Sequence, residues 1–373
     1  MRLLVVNYEY PPLGSGGGTQ SKHIARELAR NCSAVYLLTT GFGEYGIRAE
    51  DGVTVHRLKT SRARTHICTN GEMLSFVVAA WRALPEILSR NKFDAMLVFF
   101  GVPTGLVTFH PAARNIPCVI SVCGSDVPWH NPDRFRFLYY FFTPVIKLLW
   151  KRAKKVVCNS DGLSGEVRAI MPSITPAVIP NGIDTELFRP PGSRLIEGRL
   201  RLLYTGRLIP LKRIDLIIRA LPELKRLSGL EVSLEIAGEG PQERELKALS
   251  RELGIGDSVH FAGGVPHAGI ADYYRAAHVY VQMSCTEGMS NSLLEAVSCG
   301  LPVVTSAFNG TDALVKGNGT VLKNPEPCAI AAAIAVYAGD RELYRKHCAA
   351  SRELSAQFSW AAAARGYLRE LGG

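Results

Sequence analysis

The stretch Val279-Tyr280-Val281-Gln282-Met283-Ser284-Cys285-Thr286-Glu287-Gly288-Met289-Ser290-Asn291-Ser292-Leu293-Leu294-Glu295-Ala296-Val297-Ser298-Cys299-Gly300-Leu301-Pro302-Val303-Val304-Thr305 decides the fold. Its two apolar runs, 279–283 and 303–305, predict buried parallel strands. Between them Asn291 or Ser292 is suited to N-cap a helix through Leu293, Leu294, Ala296 and Val297 to Cys299, and Gly300 closes it. Strand, polar turn, short helix and strand make a βαβ unit with its loop at the carboxyl end of a sheet. Open α/β folds bind their ligands there.

Two acids bracket that loop, Glu287 at the strand end and Glu295 in the first turns of the helix. The small residues between them bring backbone amides to a helix N-terminus, where an anion such as a diphosphate is favoured. Two carboxylates beside a diphosphate need partners of their own. Sugar hydroxyls suit them, because one carboxylate accepts from two neighbouring hydroxyls. The stretch therefore suggests a nucleotide-sugar pocket; the plain alternative is a polar loop with a surface acid on its helix.

Working outward, the first half of the chain reads as strands at 2–7, 34–39, 53–58, 93–99, 117–122 and 156–158. Helices are expected at 20–30, 72–90, 105–113 and 133–154. Pro180, Asn181 and Gly182 are turn chemistry and mark a hinge. Beyond it the pattern restarts, with strands at 201–204, 232–237 and 259–261, and helices at 214–227, 242–253 and 269–276; more helices follow Pro325. The alternation predicts two Rossmann-like, doubly wound parallel-sheet domains, 1–180 and 181–358, facing across a cleft.

At 373 residues the chain suits two domains, and an apolar content of 47% fits a globular protein. The net charge of +10 is uneven. Residues 1–180 hold 21 Lys/Arg against 12 Asp/Glu, and the remainder 22 against 21. The basic half is expected to face something anionic, either a membrane surface or a phosphate-bearing substrate, or else to be merely basic. No nucleic-acid-binding motif is present. Nine scattered cysteines without a C-x-x-C read as core residues in a reducing compartment. Neither an export signal nor an apolar span is seen, which places the expected location in the cytoplasm, with peripheral contact to the inner face of the membrane as an extension.

Other loops offer site residues. Gly206, Arg207 and Lys212 follow the 201–204 strand, and two permanent cations there would meet the charge of a leaving diphosphate; a solvated basic loop is the alternative. Gly238 and Val265 lie in two further strand-to-helix turns. Gly17 and Gly18 belong to a glycine-rich loop that opens a helix like a phosphate cradle. It does not complete a P-loop, lacking G-K-[ST], and it fails as a dinucleotide fingerprint because Thr19 stands where a third glycine would be. Cys123, Asp126 and His130 follow the 117–122 strand as sugar contacts, or as a structural Asp with its neighbours. No two Asp are separated by a single residue, which speaks against a divalent-metal clamp on the diphosphate.

Together these residues make the chain resemble a family 4 retaining glycosyltransferase of the GT-B fold. Glu287 and Glu295 match its E-x7-E, followed by Ala296–Val304. Gly206-Arg207-x4-Lys212, the 180–184 junction and the Gly16–Gly18 loop stand in the expected order. The resemblance implies that Glu295 binds the ribose hydroxyls and Glu287 a donor-sugar hydroxyl. Arg207 and Lys212 would hold the diphosphate, with amides at Gly288, Met289, Ser290 and Asn291 and at Gly17 and Gly18. It implies a terminal helix, 359–373, that returns to the first domain. It also implies transfer from a UDP- or GDP-sugar to a glycan or lipid-linked acceptor; because the motifs offer no convincing carboxylate nucleophile, front-face attack is expected, with no cofactor and no metal. Many members carry His where this chain has Cys123, which leaves the donor hexose open. The segment from Arg134 to Lys155, rich in cations and aromatics, is either an anionic-membrane contact or a helix with buried rings. A GT-B epimerase or hydrolase and a non-catalytic nucleotide-sugar-binding module remain as alternatives.

Overall fold

A computed structural model describes residues 1–14, 16–65, 68–130 and 132–372, the side chains of residues 132–138 and 268 excepted. Ser15 of the glycine-rich loop, and the side chains of Arg134, Phe135, Arg136 and Phe137, thus lie outside the described residues. The chain forms two compact units, Met1–Gly182 with Trp360–Gly373, and Ile183–Ser359.

The first unit is built from β1 (Arg2–Val6), α1 (Gly16–Ala29), β2 (Ala34–Thr40), β3 (Gly46–Glu50), β4 (Val53–Leu58), α2 (Asn70–Arg90), β5 (Ala95–Phe99), β6 (Cys118–Val122), α3 (Pro132–Arg152), β7 (Lys155–Cys158), α4 (Asp161–Ile170) and β8 (Ala177–Val178). Its sheet order is β3-β4-β2-β1-β5-β6-β7-β8, parallel except for β3. Leu3, Leu4, Val5 and Val6 of β1 are fully buried, as a central strand covered on both faces requires. α2 begins where it does because Thr69 and Glu72 form a reciprocal capping box.

The second unit is built from β9 (Arg199–Thr205), α5 (Ile214–Ser228), β10 (Glu231–Ala237), α6 (Glu243–Glu252), β11 (Val259–Gly263), α7 (His267–Ala276), β12 (Val279–Gln282), α8 (Asn291–Ser298), β13 (Val303–Ser306), α9 (Thr311–Leu314), β14 (Gly319–Leu322), α10 (Pro327–Gly339) and α11 (Arg341–Ser355). Its sheet is wholly parallel, in the order β11-β10-β9-β12-β13-β14. Ile214, Ile217, Ile218, Leu221 and Leu224 form the buried face of α5. Each such side chain contributes roughly 1.5–3 kcal/mol on burial.

The final helix, α12 (Trp360–Leu371), belongs to the first unit and packs on α1. Trp360 stacks on the His23 ring at 4.8 Å, and the Tyr367 hydroxyl lies 2.7 Å from that of Ser121.

Several elements depart from expectation. The span 105–113 is not one α-helix but two 3-10 turns, Thr104–Phe109 and Pro111–Ala113, because Pro111 drives His110 out of the helical region (φ −60°, ψ 131°). α1 starts at Gly16, since tertiary contact outweighs the poor helix propensity of three glycines. The edge strand β3, the Ser160-capped helix α4 and the short β8, α9 and β14 are additions.

Candidate functional site

In the second sheet β9 and β12 are neighbours, so the strand order reverses between them. The crevice at the carboxyl end of such a reversal is where doubly wound sheets take ligands. β9 runs out through Gly206 and Arg207 to a 3-10 turn at Pro210–Lys212, and β12 through Ser284 and Glu287 to α8. The Cys285 amide donates to the Leu211 carbonyl at 2.8 Å and ties the two loops together.

Lys212 Nζ and Glu287 Oε1 form an ion pair here, with side chains only 15% and 18% exposed. Gln282 Nε2 and Ser284 Oγ donate to the same oxygen at 3.0 and 2.9 Å. Gln282 is itself buried, and its Oε1 accepts from the Tyr280 hydroxyl at 3.2 Å and from Ser290 Oγ at 2.8 Å. Those two donors leave the amide one orientation, NH2 toward Glu287. Ser290, not Asn291 or Ser292, N-caps α8, accepting from the Leu293 amide at 3.2 Å. Its backbone is extended (φ −78°, ψ 112°), while Asn291 is already the first helical residue.

Glu295 sits within α8, where Tyr274 of α7 donates to its Oε2 at 2.8 Å. Burial pushes its pKa up to about 7, with the Tyr274 hydrogen bond acting in the opposite direction. His267 Nε2 stands 3.9 Å from Oε1. Tyr274 also meets Thr205 Oγ1, which lies 3.4 Å from the Tyr280 hydroxyl. A buried polar path therefore joins Glu287 to Glu295 through Gln282, Tyr280, Thr205 and Tyr274.

The neighbouring turns lock onto this crevice. The Gly206 amide donates to Ala237 O at 3.0 Å and the Gly238 amide to Gly263 O at 2.8 Å. A Cβ on Gly238 would lie 1.9 Å from the Gly206 carbonyl oxygen. Val265 packs half-buried beside α8 and the Met289 side chain is buried in the same core. Gly288 and Met289 precede the Ser290 cap directly, with Asn291 just inside the helix. The Arg207 side chain is exposed, and its carbonyl accepts from the Tyr204 hydroxyl at 3.1 Å.

In the first sheet the order reverses between β1 and β5. Gly17 and Gly18 lie in the first turn of α1 at that point, and a Cβ would meet the Phe100 ring at 2.4 Å and the Leu13 carbonyl at 2.8 Å, respectively. Phe100 holds φ +68°, uncommon for a non-glycine residue. Asp126 is buried and braces the adjoining loops, its Oδ2 accepting from the Gly101 amide at 2.6 Å and its Oδ1 from the Cys123 amide at 2.8 Å. Asp126, expected as a catalytic residue and sugar contact or as a structural cap on the segment that follows, thus holds the loop after β5 and the end of β6; burial raises its pKa and those amides oppose the rise. Cys123 Sγ lies 3.6 Å from Gln20 Oε1, and His130 Nδ1 is 2.8 Å from Glu166 Oε2.

Sequence reasoning missed Tyr274, Gln282, Ser284 and Thr205. One signal was available: Gln282 is a polar residue inside an apolar central strand, which is tolerated only with its amide satisfied.

Residues 14–187 match the family described as Glycosyltransferase Family 4, and residues 189–353 the one described as Glycosyl transferases group 1. The chain is 31% identical over 297 residues to the GDP-mannose-dependent alpha-(1-6)-phosphatidylinositol monomannoside mannosyltransferase of Mycobacterium tuberculosis, covering 72% of this chain and 74% of that one. The chain belongs to glycosyltransferase family 4. A further family relative is the gpi3 subunit of the Schizosaccharomyces pombe phosphatidylinositol N-acetylglucosaminyltransferase, 29% identical over 184 residues. That match takes in 49% of this chain, and only about two fifths (40%) of the relative's length.

Solved structures show the GT-B fold expected of the family. Sucrose-phosphate synthase from Thermosynechococcus elongatus superposes with a TM-score of 0.86 at 20% identity, over 99% of this chain and 98% of that one. Anabaena HepE, in complex with UDP and glucose, gives 0.77 at 18% identity over the whole of both chains.

Proposed function

We propose that this family 4 chain is a retaining hexosyltransferase that moves a sugar from a nucleoside diphosphate sugar to an acceptor hydroxyl. The observation that carries the reading is the meeting of Lys212 and Glu287 where the strand order reverses, with Glu295 on α8, the helix that follows. An ammonium has three N–H donors, so Lys212 can hold Glu287 and still meet a diphosphate oxygen. Arg207, exposed on the same loop, supplies a second permanent charge. Glu295, fixed by Tyr274, presents a carboxylate to the ribose hydroxyls, and Glu287 one to the hexose.

In the proposed reaction the acceptor oxygen attacks the anomeric carbon on the face from which the diphosphate leaves. The C–O bond to the acceptor forms as the bond to the phosphate oxygen breaks, and that oxygen takes the acceptor's proton. Arg207 and Lys212 stabilise the charge that develops on the diphosphate, so the reaction needs no metal. The ligands of HepE and the GDP-mannose dependence of the mycobacterial relative favour a UDP- or GDP-linked hexose. Relatives with phosphatidylinositol in their names favour a lipid-linked or glycan hydroxyl as acceptor.

Thermal-shift screening of UDP-, GDP- and ADP-sugars, followed by NMR of the slow hydrolysis product in EDTA, tests the reading. Stabilisation by one donor class and release of the retained anomer are expected. Tight nucleotide binding with no hydrolysis or transfer would leave a binding module instead, and an inverted product would remove the front-face mechanism.

A further inference from the structure

Two helices of the first unit expose apolar side chains in rows. On α2, Leu74, Val78 and Trp81 are exposed at the i, i+4, i+7 spacing of one helix face. On α3, Phe141 (77% exposed) and Leu148 align with Arg152, and exposed Tyr140 aligns with Lys147 and Lys151 in the adjacent row. Tyr139, Ile146, Leu149 and Trp150 fill the opposite, buried face. The second half of the basic aromatic segment is thus amphipathic, with cations among its outward rings.

The two faces meet. Both helices pack on the 3-10 turn Thr104–Phe109. Trp81 donates to the Leu106 carbonyl at 3.2 Å and sets its ring against His110, at 5.2 Å between centroids. From the other side the Arg152 guanidinium lies 5.9 Å from the centre of the Phe109 ring and donates to the Arg114 carbonyl at 3.0 Å. Arg82 of α2 and Arg114, which follows the 3-10 turn Pro111–Ala113, are exposed, while Glu86 of α2 is paired with Arg90 at 2.8 Å. In the second unit the exposed large apolar residues, Leu195, Leu227, Val321 and Val336, sit far apart in sequence on separate segments, which is ordinary for a soluble surface.

We propose that this α2–α3 face docks on an anionic phospholipid bilayer. Exposed Trp, Tyr, Phe and Leu interleaved with Lys and Arg match the interfacial zone of a membrane, where rings sit at headgroup depth and cations meet lipid phosphates. The face extends beyond the basic segment to include the apolar row of α2. Docking of this kind is independent of the donor chemistry.

Flotation of the full chain with phosphatidylcholine vesicles, with and without phosphatidylglycerol, at low and high salt, tests it. Binding to the anionic vesicles only, weakened by salt, is expected. Lys147→Gln and Lys151→Gln should each weaken partitioning about fivefold. Phe141→Ser with Leu148→Ser, and separately Leu74→Ser with Val78→Ser, should weaken it further. All variants should keep the wild-type melting temperature and nucleotide response. Absence of flotation at low salt would overturn the proposal, as would binding that all these variants retain. Self-association lost in the apolar variants, without lipid binding, would assign the face to a second copy and overturn it as well.

Discussion

The hydroxyl of Tyr274 lies 2.8 Å from Glu295 Oε2 and fixes the carboxylate to which the proposed reading gives the ribose. Burial has raised that carboxyl from 4.5 to about 7. A ligand whose hydroxyls donate to it favours the ionised form, so binding should expel a proton near neutrality. Nucleoside diphosphate affinity should therefore rise between pH 6 and 8, and calorimetry at pH 7 in buffers of different ionisation enthalpy should report proton release. In Glu295→Gln the pH dependence should vanish. A pH-independent wild-type affinity would separate Glu295 from the ribose.

The same group bears on stability. A carboxyl with a raised folded-state pKa holds its proton more tightly folded than unfolded. Ligand-free stability should accordingly fall as pH climbs from about 4.5 through about 7, and then level off. The full span is about 3 kcal/mol. Urea melts of Glu295→Gln should show that slope flattened, with Glu295→Gln the more stable protein at pH 8.

Gln282 is the positioning residue for Glu287. Gln282→Leu removes one donor to the carboxylate and the acceptor shared by the Tyr280 and Ser290 hydroxyls, which are left with longer contacts to Thr205 at 3.4 Å and Ser292 at 3.1 Å, and should cost about 1–3 kcal/mol. Turnover should fall while the KM for the nucleotide sugar changes little, because the ribose and diphosphate contacts remain. An unchanged kcat in folded Gln282→Leu would deny the role.

The two cations should separate by their burial. Arg207 is exposed, so Arg207→Ala should lower kcat/KM roughly 10²–10³-fold with little change in melting temperature. Lys212 is largely buried against Glu287, so Lys212→Ala should lose comparable activity and also about 3 kcal/mol of stability, since it leaves a carboxylate uncompensated. Full turnover in Arg207→Ala would exclude it from the diphosphate.

The fold was legible because its central strands are continuous apolar runs and its turns carry Pro, Asn and Gly. The edge strand β3 was not, since the solvent-facing Gly46–Glu50 has no apolar period. The span 105–113 misled because its apolar spacing suits a helix while Pro111 forbids one. Of the site, Glu287, Glu295, Arg207 and Lys212 were visible as charged residues at strand ends. Their supports were not: Tyr274 sits on a separate helix, and a tyrosine in an apolar segment reads as core. That Asp126 spends both oxygens on amides depends on the loop after β5, which lies 25 residues away in sequence.

Gly238 and Gly254 make a matched pair for testing how tightly the crevice is built. Both hold positive φ, +154° and +68°, so alanine is strained at either. At Gly254 nothing lies within 4 Å of the new methyl, and Gly254→Ala should cost only the left-handed backbone term, about 1–2 kcal/mol. At Gly238 the methyl would overlap the Gly206 carbonyl at 1.9 Å, and neither backbone can yield without moving the loop that carries Arg207 and Lys212. Gly238→Ala should therefore lose more stability than Gly254→Ala and, where it folds, bind nucleotide more weakly. Equal melting temperatures and equal nucleotide affinity in the two variants would show that the close approach of these turns is not what shapes the site.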